Sequence, residues 1–415
     1  INYEYNKLRT TSDLDRTFEA AAPFYYSKTN LTQELMDHNL STNLNLSWRF
    51  NEQHRIEIMG GGSFNRAPNN ITQQEDAFRS TPEGTAVDSA LNNTTSTRSI
   101  TDNFQARLSY DGQLGKEWSI SSTVDYMRLN PHKYGNYSFA FSNRINPTQD
   151  FVFDYNMNDS TRANLWIGRA DLTWNKKGNE IKGGIQYTDI NTFYSILFDN
   201  NDVQLTGEDN WFKYQEQIYA VYGQWRGGLQ NWKWRVGLRA EYSNTAGVDR
   251  QEETSGWSQF NYFPSAGLLF IPVENHIFRL TYSKSIQRVG FFGRSPYQFF
   301  TGLYTSFEGN PDLRPQITHS TDLTYILMRR YVFNAYYNEV FDYISQISEL
   351  RGTLQTFRPI NFRNTNYGIS FTTQLYLSDW WQLSFKAEGK GIRTRGINQG
   401  EAFDNHSIYT NLALV

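Results

Sequence analysis

Between Asn39 and Phe50 the even positions read Leu40, Thr42, Leu44, Leu46, Trp48 and Phe50. The odd positions read Asn39, Ser41, Asn43, Asn45, Ser47 and Arg49. Successive side chains of a strand point to opposite faces, so this segment predicts a strand with one apolar and one polar face. A short polar turn over 51–55 follows, and Ile56 and Ile58 resume the alternation. The same strand–turn–strand unit returns six more times, around turns at 111–117, 175–179, 226–231, 272–275, 328–330 and 378–381. Seven hairpins give fourteen strands, and the runs Ile1–Arg9 and His406–Val415 bring the expectation to about sixteen. Each run is long enough for the roughly 9–11 residues with which a tilted strand crosses a bilayer.

Short turns at one end of these hairpins alternate with long polar connections at the other. The long ones are expected near 10–38, 60–102, 129–162, 190–217, 243–260, 284–316, 338–366 and 390–405. Short turns on one side and long connections on the other are the pattern of outer-membrane barrels. The predicted fold is therefore all-β: an antiparallel transmembrane β-barrel occupying residues 1–415, with polar faces toward a lumen and apolar faces toward lipid. Leu40, Leu44, Leu46, Ile369, Phe371 and Leu375 are expected to face lipid, and Asn43, Asn45, Ser370 and Gln374 the lumen. A soluble sandwich or propeller would need apolar residues on its inward faces, where this chain carries Ser, Thr, Asn, Gln and Arg.

Composition agrees with that choice. Hydrophobic residues are 38% of the chain while aromatics reach 16%, and mean hydropathy is -0.65. A polar lumen accounts for the low hydropathy. No run of eighteen apolar residues is present, which excludes a helical span. Eight of the eleven tryptophans (48, 118, 174, 225, 232, 234, 380 and 381) fall within a few residues of a short turn. Indole favours the half-wet headgroup zone, so these predict a ring at one membrane boundary, taken as the periplasmic one.

Candidate chemistry is sparse. A net charge of -3 lacks the basic face that nucleic acid requires. There is no cysteine, hence no disulfide, thiolate site or cysteine nucleophile. The six histidines are scattered, with His54 and His276 in turns, and no metal-ligand spacing appears. Met59-Gly60-Gly61-Gly62-Ser63 lacks the Gly-Lys-Ser/Thr of a phosphate loop and reads as flexible loop. Asp199, Asn200, Asn201 and Asp202 with Glu208 and Asp209 offer carboxylates for calcium, but not at EF-hand spacing, and read as a hydrated loop. No nucleophile–base–acid set and no cofactor motif is found, so the chain is expected not to be an enzyme. The first residues already have strand character, without a signal peptide, so the chain reads as a mature or truncated piece of a longer one.

The segment from Tyr282 to Pro315 stands apart. Phe291, Phe292, Tyr297, Phe299, Phe300 and Tyr304 cluster on what reads as a connection, together with Arg294. Large rings on a loop either pack on something or bind something. As ligand-binding candidates, the rings would bury large area with few rotamers to freeze, and Arg294 would supply charge to a carboxylate- or catecholate-bearing ligand. Packing of the rings on one another carries equal weight. Glu308, Gly309, Asn310, Pro311, Leu313 and Pro315 form a bent block read as structural.

Phe263-Pro264-Ser265, Tyr282-Ser283-Lys284-Ser285-Ile286-Gln287-Arg288 and the Glu308–Pro315 block together resemble the barrel region of TonB-dependent receptors, nearest to their outer-membrane β-barrel group. Val289 departs from that pattern, where proline usually follows the arginine. The resemblance implies a barrel of about twenty-two strands around an N-terminal plug. It also implies import of a scarce ligand (a metal chelate, oligosaccharide or peptide) driven by a TonB complex that grips a segment ahead of the plug. The partners implied are outer-membrane lipid, the plug, the TonB complex and, as a further candidate, a surface lipoprotein. Against that pattern the chain reads as a partial barrel, with elements expected before Ile1 and after Val415. The alternative function is a structural anchor or assembly partner for a surface or secretion complex, without transport; a passive porin is the third.

Overall fold

The computed structural model describes residues 2–18, 25–81, 84–144, 146–199, 210–250, 254–294, 298–302, 305–351, 354–378, 380–398 and 401–414. In chain order the strands are β1 (Asn2–Phe18), β2 (Tyr25–Asn51), β3 (His54–Thr81), β4 (Gly84–Gln113), β5 (Trp118–Asn143) and β6 (Phe151–Lys176). There follow β7 (Asn179–Asp199), β8 (Asn210–Leu229), β9 (Trp232–Asp249), β10 (Thr254–Phe270) and β11 (His276–Gln287). Two short strands, β12 (Gln298–Gly302) and β13 (Thr305–Glu308), precede β14 (Gln316–Leu327), β15 (Tyr331–Arg351), β16 (Leu354–Ser378), β17 (Trp381–Asn398) and β18 (Glu401–Leu414). Each long strand pairs antiparallel with the next, and β11 reaches past the short pair to β14. The result is a meander of sixteen long strands, and among the described residues β18 and β1 do not pair, so the sheet is open.

All seven expected short turns are present. Type I′ hairpin turns, which match strand twist, need positive φ at both central residues. Lys177 and Gly178 adopt φ 45° and 80°, and Met328 and Arg329 adopt 52° and 53°. Glycine makes the first turn easy; the second holds two side chains in the left-handed region.

The long polar connections are different from expectation. Most are not loops but continuations of the hairpins. The β1–β2 ladder runs to Phe18–Tyr25, β3–β4 to Thr81–Gly84, β5–β6 to Phe141–Phe151 and β15–β16 to Arg351–Leu354. Ladder hydrogen bonds need only backbone, so the strands persist after both faces have become polar and the alternation has faded. Gly60, Gly61 and Gly62 are likewise ladder residues of β3, opposite Leu44, Asn43 and Thr42 on β2, and not a flexible loop. His54 and His276 open strands instead of standing solvated in turns: their Nδ1 atoms share hydrogen bonds of 2.9 Å with Tyr110 and Tyr325. Among the described residues, the connection 284–316 holds the longest irregular stretches, broken by the short strands β12 and β13.

The two faces separate as the alternation predicts. Leu40, Leu44, Leu46, Val221, Leu238, Ile369 and Leu412 are exposed on the outward face. Aromatic pairs cluster by the short turns: Trp118 with Trp174, Trp225 with Trp234, and Trp232 stacked on Phe270 at 4.0 Å. On the inner face, at the other end of β5–β7, Tyr137, Phe139, Tyr155, Met157, Tyr194 and Ile196 form the buried cluster, with Tyr137 and Tyr155 stacked at 4.6 Å.

Candidate functional site

The irregular segment begins where β11 ends. Arg288 is the first residue beyond that strand, and it turns back onto the inner wall. Its Nε lies 2.9 Å from Glu216 Oε1 on β8, and its Nη2 donates to Glu241 Oε2 on β9 at 2.5 Å. Both glutamates are buried. A desolvated carboxylate is costly unless paired, so these two ion pairs fix where the segment starts.

The ion pair continues around the wall. Arg239 Nε donates to the other oxygen of Glu241 at 2.6 Å, and the Arg239 guanidinium lies over the Tyr222 ring at 5.4 Å. Tyr222 donates to Asp171 at 2.5 Å and accepts from Arg169 Nε at 2.8 Å. Asp171 also pairs with Arg169 at 2.8 Å and Lys182 at 3.4 Å. Asp171 of β6, Tyr222 of β8 and Arg239 of β9 thus meet along one ladder row of the inner face, because alternate residues of each strand point inward.

Beyond Arg288, residues Phe291–Arg294 form one 3-10 turn. Arg294 is buried: its Nη2 donates to the Leu313 carbonyl at 2.7 Å and its guanidinium lies over Trp257 at 5.0 Å. Burial pulls its pKa below the usual guanidinium value, while Tyr214 and Glu216 act in the opposite sense. The Gly-Asn-Pro block closes the segment. Asn310 donates its backbone N–H to the Gly293 carbonyl at 2.8 Å and its Nδ2 to the Pro359 carbonyl at 3.0 Å, and its Oδ1 accepts from the Asp312 backbone at 3.1 Å. Leu313 is buried, and a Cβ on Gly293 would sit 3.5 Å from its Cδ1. Glu308 pairs with Arg351 at 2.9 Å. The strand β13 runs parallel to β16, with the buried hydroxyls of Ser306 and Thr356 3.0 Å apart.

The segment therefore lies folded on the inner wall at the end of the barrel opposite the short turns. Phe299 and Phe300 sit in β12, facing Phe307 and Ser306 across the short ladder. Tyr297 and Tyr304 lie outside the described residues, as do the side chains of Phe291, Phe292, Phe299 and Phe300. Residues 200–209, which hold most of the acidic calcium candidate, lie outside them too, and Asp199 ends β7. Among the described residues no group of three or more His, Cys, Asp and Glu side chains could hold a metal ion. Glu216, Glu241 and Arg239 were not legible as site residues from spacing. The available signal was their inward parity within otherwise outward-apolar strands.

Residues 110–414 match the outer membrane protein beta-barrel family. No curated protein matches the sequence. Among solved structures, the copper transporter OprC superposes with a TM-score of 0.53 at 9% identity, over 99% of this chain and 72% of that one. The siderophore receptor PirA from Pseudomonas aeruginosa gives a TM-score of 0.48 at 11% identity, over 99% and 71% of the two chains. The ferric yersiniabactin uptake receptor FyuA from Yersinia pestis gives 0.46 at 9%, over 99% and 71%. With the family matched over nearly three quarters of its length, the chain belongs to the outer membrane protein β-barrel family and spans the outer membrane with its strands.

Proposed function

We propose that this chain is the barrel wall of a TonB-dependent receptor that imports a scarce ligand, such as a metal chelate, an oligosaccharide or a peptide, into the periplasm. The observation that supports it is the aromatic-rich segment 288–315, held on the inner wall at the mouth by Arg288, Glu216 and Glu241. A segment fixed in that position presents side chains to whatever enters, at little further cost in ordering. In this reading Phe291, Phe292, Tyr297, Phe299, Phe300 and Tyr304 supply rings for capture. Arg294, packed on Trp257, shapes the turn that carries them. The plug and TonB complex supply gating and energy.

The test replaces Phe299 and Phe300 with alanine in the intact protein and measures protonophore-sensitive uptake of ferric chelates, oligosaccharides and peptides by whole cells. Resistance of the folded barrel to heating in detergent serves as the control. A loss of tenfold or more with the barrel intact is expected. Uptake at the parental level would reject capture by these rings, and absence of energised uptake of any ligand class would favour the anchor function.

A further inference from the structure

The outward face of β15–β18 carries a feature that transport does not use. Along β17 the outward residues are Ala387, Gly389, Gly391, Arg393 and Arg395, since alternate residues share a face. The ladder places Arg395 directly opposite Arg363 of β16 on one side and Asp404 of β18 on the other, and places Arg393 opposite His406. Arg363 and Arg395 thus share one level, with Arg393 two residues nearer the short turn. Arg363 is held by Glu339, with Nε donating at 3.0 Å, and its guanidinium lies over Phe341 at 4.6 Å. Arg393 donates to Asp404 at 2.8 Å. Arg395 makes no ion pair among the described residues, and its Nε is buried without a hydrogen-bond partner. Glu339 and Asp404 offset two of the three charges, which leaves one excess positive charge at Arg363 and Arg395, side by side across the ladder, for an anion to meet.

Below the arginines, toward the short turns, the same face forms a groove of about 710 Å³ lined by Phe333, Ala335, Ile369, Ala387, Gly389 and Leu412. Small residues form its floor: a Cβ on Gly389 would meet nothing within 4 Å. Gly391, one step higher, is covered by the Tyr367 ring, whose hydroxyl shares a 2.9 Å hydrogen bond with His406. Gly389 and Arg395 are six residues apart, which is roughly 15 Å along the barrel axis for a strand tilted by about 40°. An apolar slot with a cationic head above it matches the outline of a lipid whose headgroup carries phosphate. A second outward groove, lined by Val124, Ile185, Tyr219 and Val221, has Asp189, Gln217 and Asn244 above it on β7–β9, and these give phosphate no cation.

We propose that the outward face of β15–β18 binds one phosphate-bearing lipid of the outer leaflet, its phosphate on Arg363 and Arg395 and an acyl chain in the groove over Gly389. Guanidinium binds phosphate through paired N–H groups, and the bound anion would offset the repulsion between the two arginines. The inference uses the assignment of the short turns to the periplasm but not the identity of any imported ligand.

Native mass spectrometry of the intact protein in detergent, with bis-phosphorylated lipid A as the probe, tests this. The parent protein should retain the lipid, and R363Q/R395Q should retain at least tenfold less. Gly389→Leu, which fills the groove and leaves every arginine in place, should also reduce retention and covers the case in which the double variant fails to fold. Equal retention by the parent and both variants would overturn the site. So would equal retention of dephosphorylated lipid A, which would leave a groove without a headgroup contact. Displacement of the lipid by millimolar inorganic phosphate would make this a free-anion site and overturn it as well.

Discussion

Replacing Arg288 with methionine removes the cation that serves two buried carboxylates. The side chains of Glu216 and Glu241 are 5% and 7% exposed. Glu241 keeps Arg239 at 2.6 Å, so its loss is partial. Among the described residues Glu216 keeps the Tyr214 hydroxyl at 3.1 Å, a neutral donor, and the more distant charge of Arg294. Breaking a buried pair from one side costs about 3–5 kcal/mol because a desolvated charge loses its partner. The loss should therefore centre on Glu216, with Arg239 limiting the share from Glu241. Arg288→Met should destabilise by about 3 kcal/mol. Glu216→Gln in the same background should recover roughly 2 kcal/mol of it by removing the stranded charge. The assay is a double-mutant cycle on denaturant unfolding of the barrel in lipid vesicles, with limited proteolysis of segment 288–315 as the local readout. If the two changes were additive within about 0.5 kcal/mol, Arg288 and Glu216 would not be coupled and the anchoring of the segment would be wrong.

Arginine at Leu44 should cost about 2–4 kcal/mol of folding in vesicles, and at Asn43 much less, because only the first faces the bilayer. Equal costs would reverse the assigned faces. In the β14–β15 turn, Met328→Asn with Arg329→Gly relieves two side chains at φ 52° and 53° and should stabilise by about 1 kcal/mol, read as a raised unfolding midpoint. Asp159 stands on β6 about seventeen residues from the short turn at Lys176, well beyond an apolar band about 25 Å tall. Burial raises its pKa to about 6, with Lys133 opposing. A carboxyl whose folded pKa lies above its unfolded one is favoured when protonated, so the outer part of the β5–β6 hairpin should lose protection as pH rises from 4 toward 7. Hydrogen exchange of those amides should show the trend, and Asp159→Asn should flatten it; protection that rises with pH would contradict the burial.

The sixteen long strands, their turns and their faces were legible because period-two alternation is a local property, and each run carries it within ten residues. Residues such as Thr94, Thr95 and Thr97 on β4 were read as connection because both faces of that stretch are polar, and alternation vanishes once neither side meets lipid. Arg288 was visible in a motif, yet its partners lie 72 and 47 positions away on other strands. Parity tells which face a residue occupies but not its level, and the level depends on register across several hairpins. That is why the ion pairs among Glu216, Glu241, Arg239 and Arg288 came only from the structure. The arginine level on β16 and β17 was hidden for the same reason, since Arg363 and Arg395 become neighbours only through the ladder.

The absence of cysteine makes a direct test of the barrel wall simple, since any cysteine introduced is the only label site. Spin labels placed singly at Leu44, Val221 and Ile369, and at Asn43, Ala220 and Ser370, can be read by power saturation in vesicles against oxygen and a water-soluble nickel chelate. Leu44, Val221 and Ile369 should be accessible to oxygen and closed to the chelate, and their neighbours should show the opposite preference. Labels at all six positions with the same accessibility would contradict a barrel wall with one face in lipid and one in the lumen.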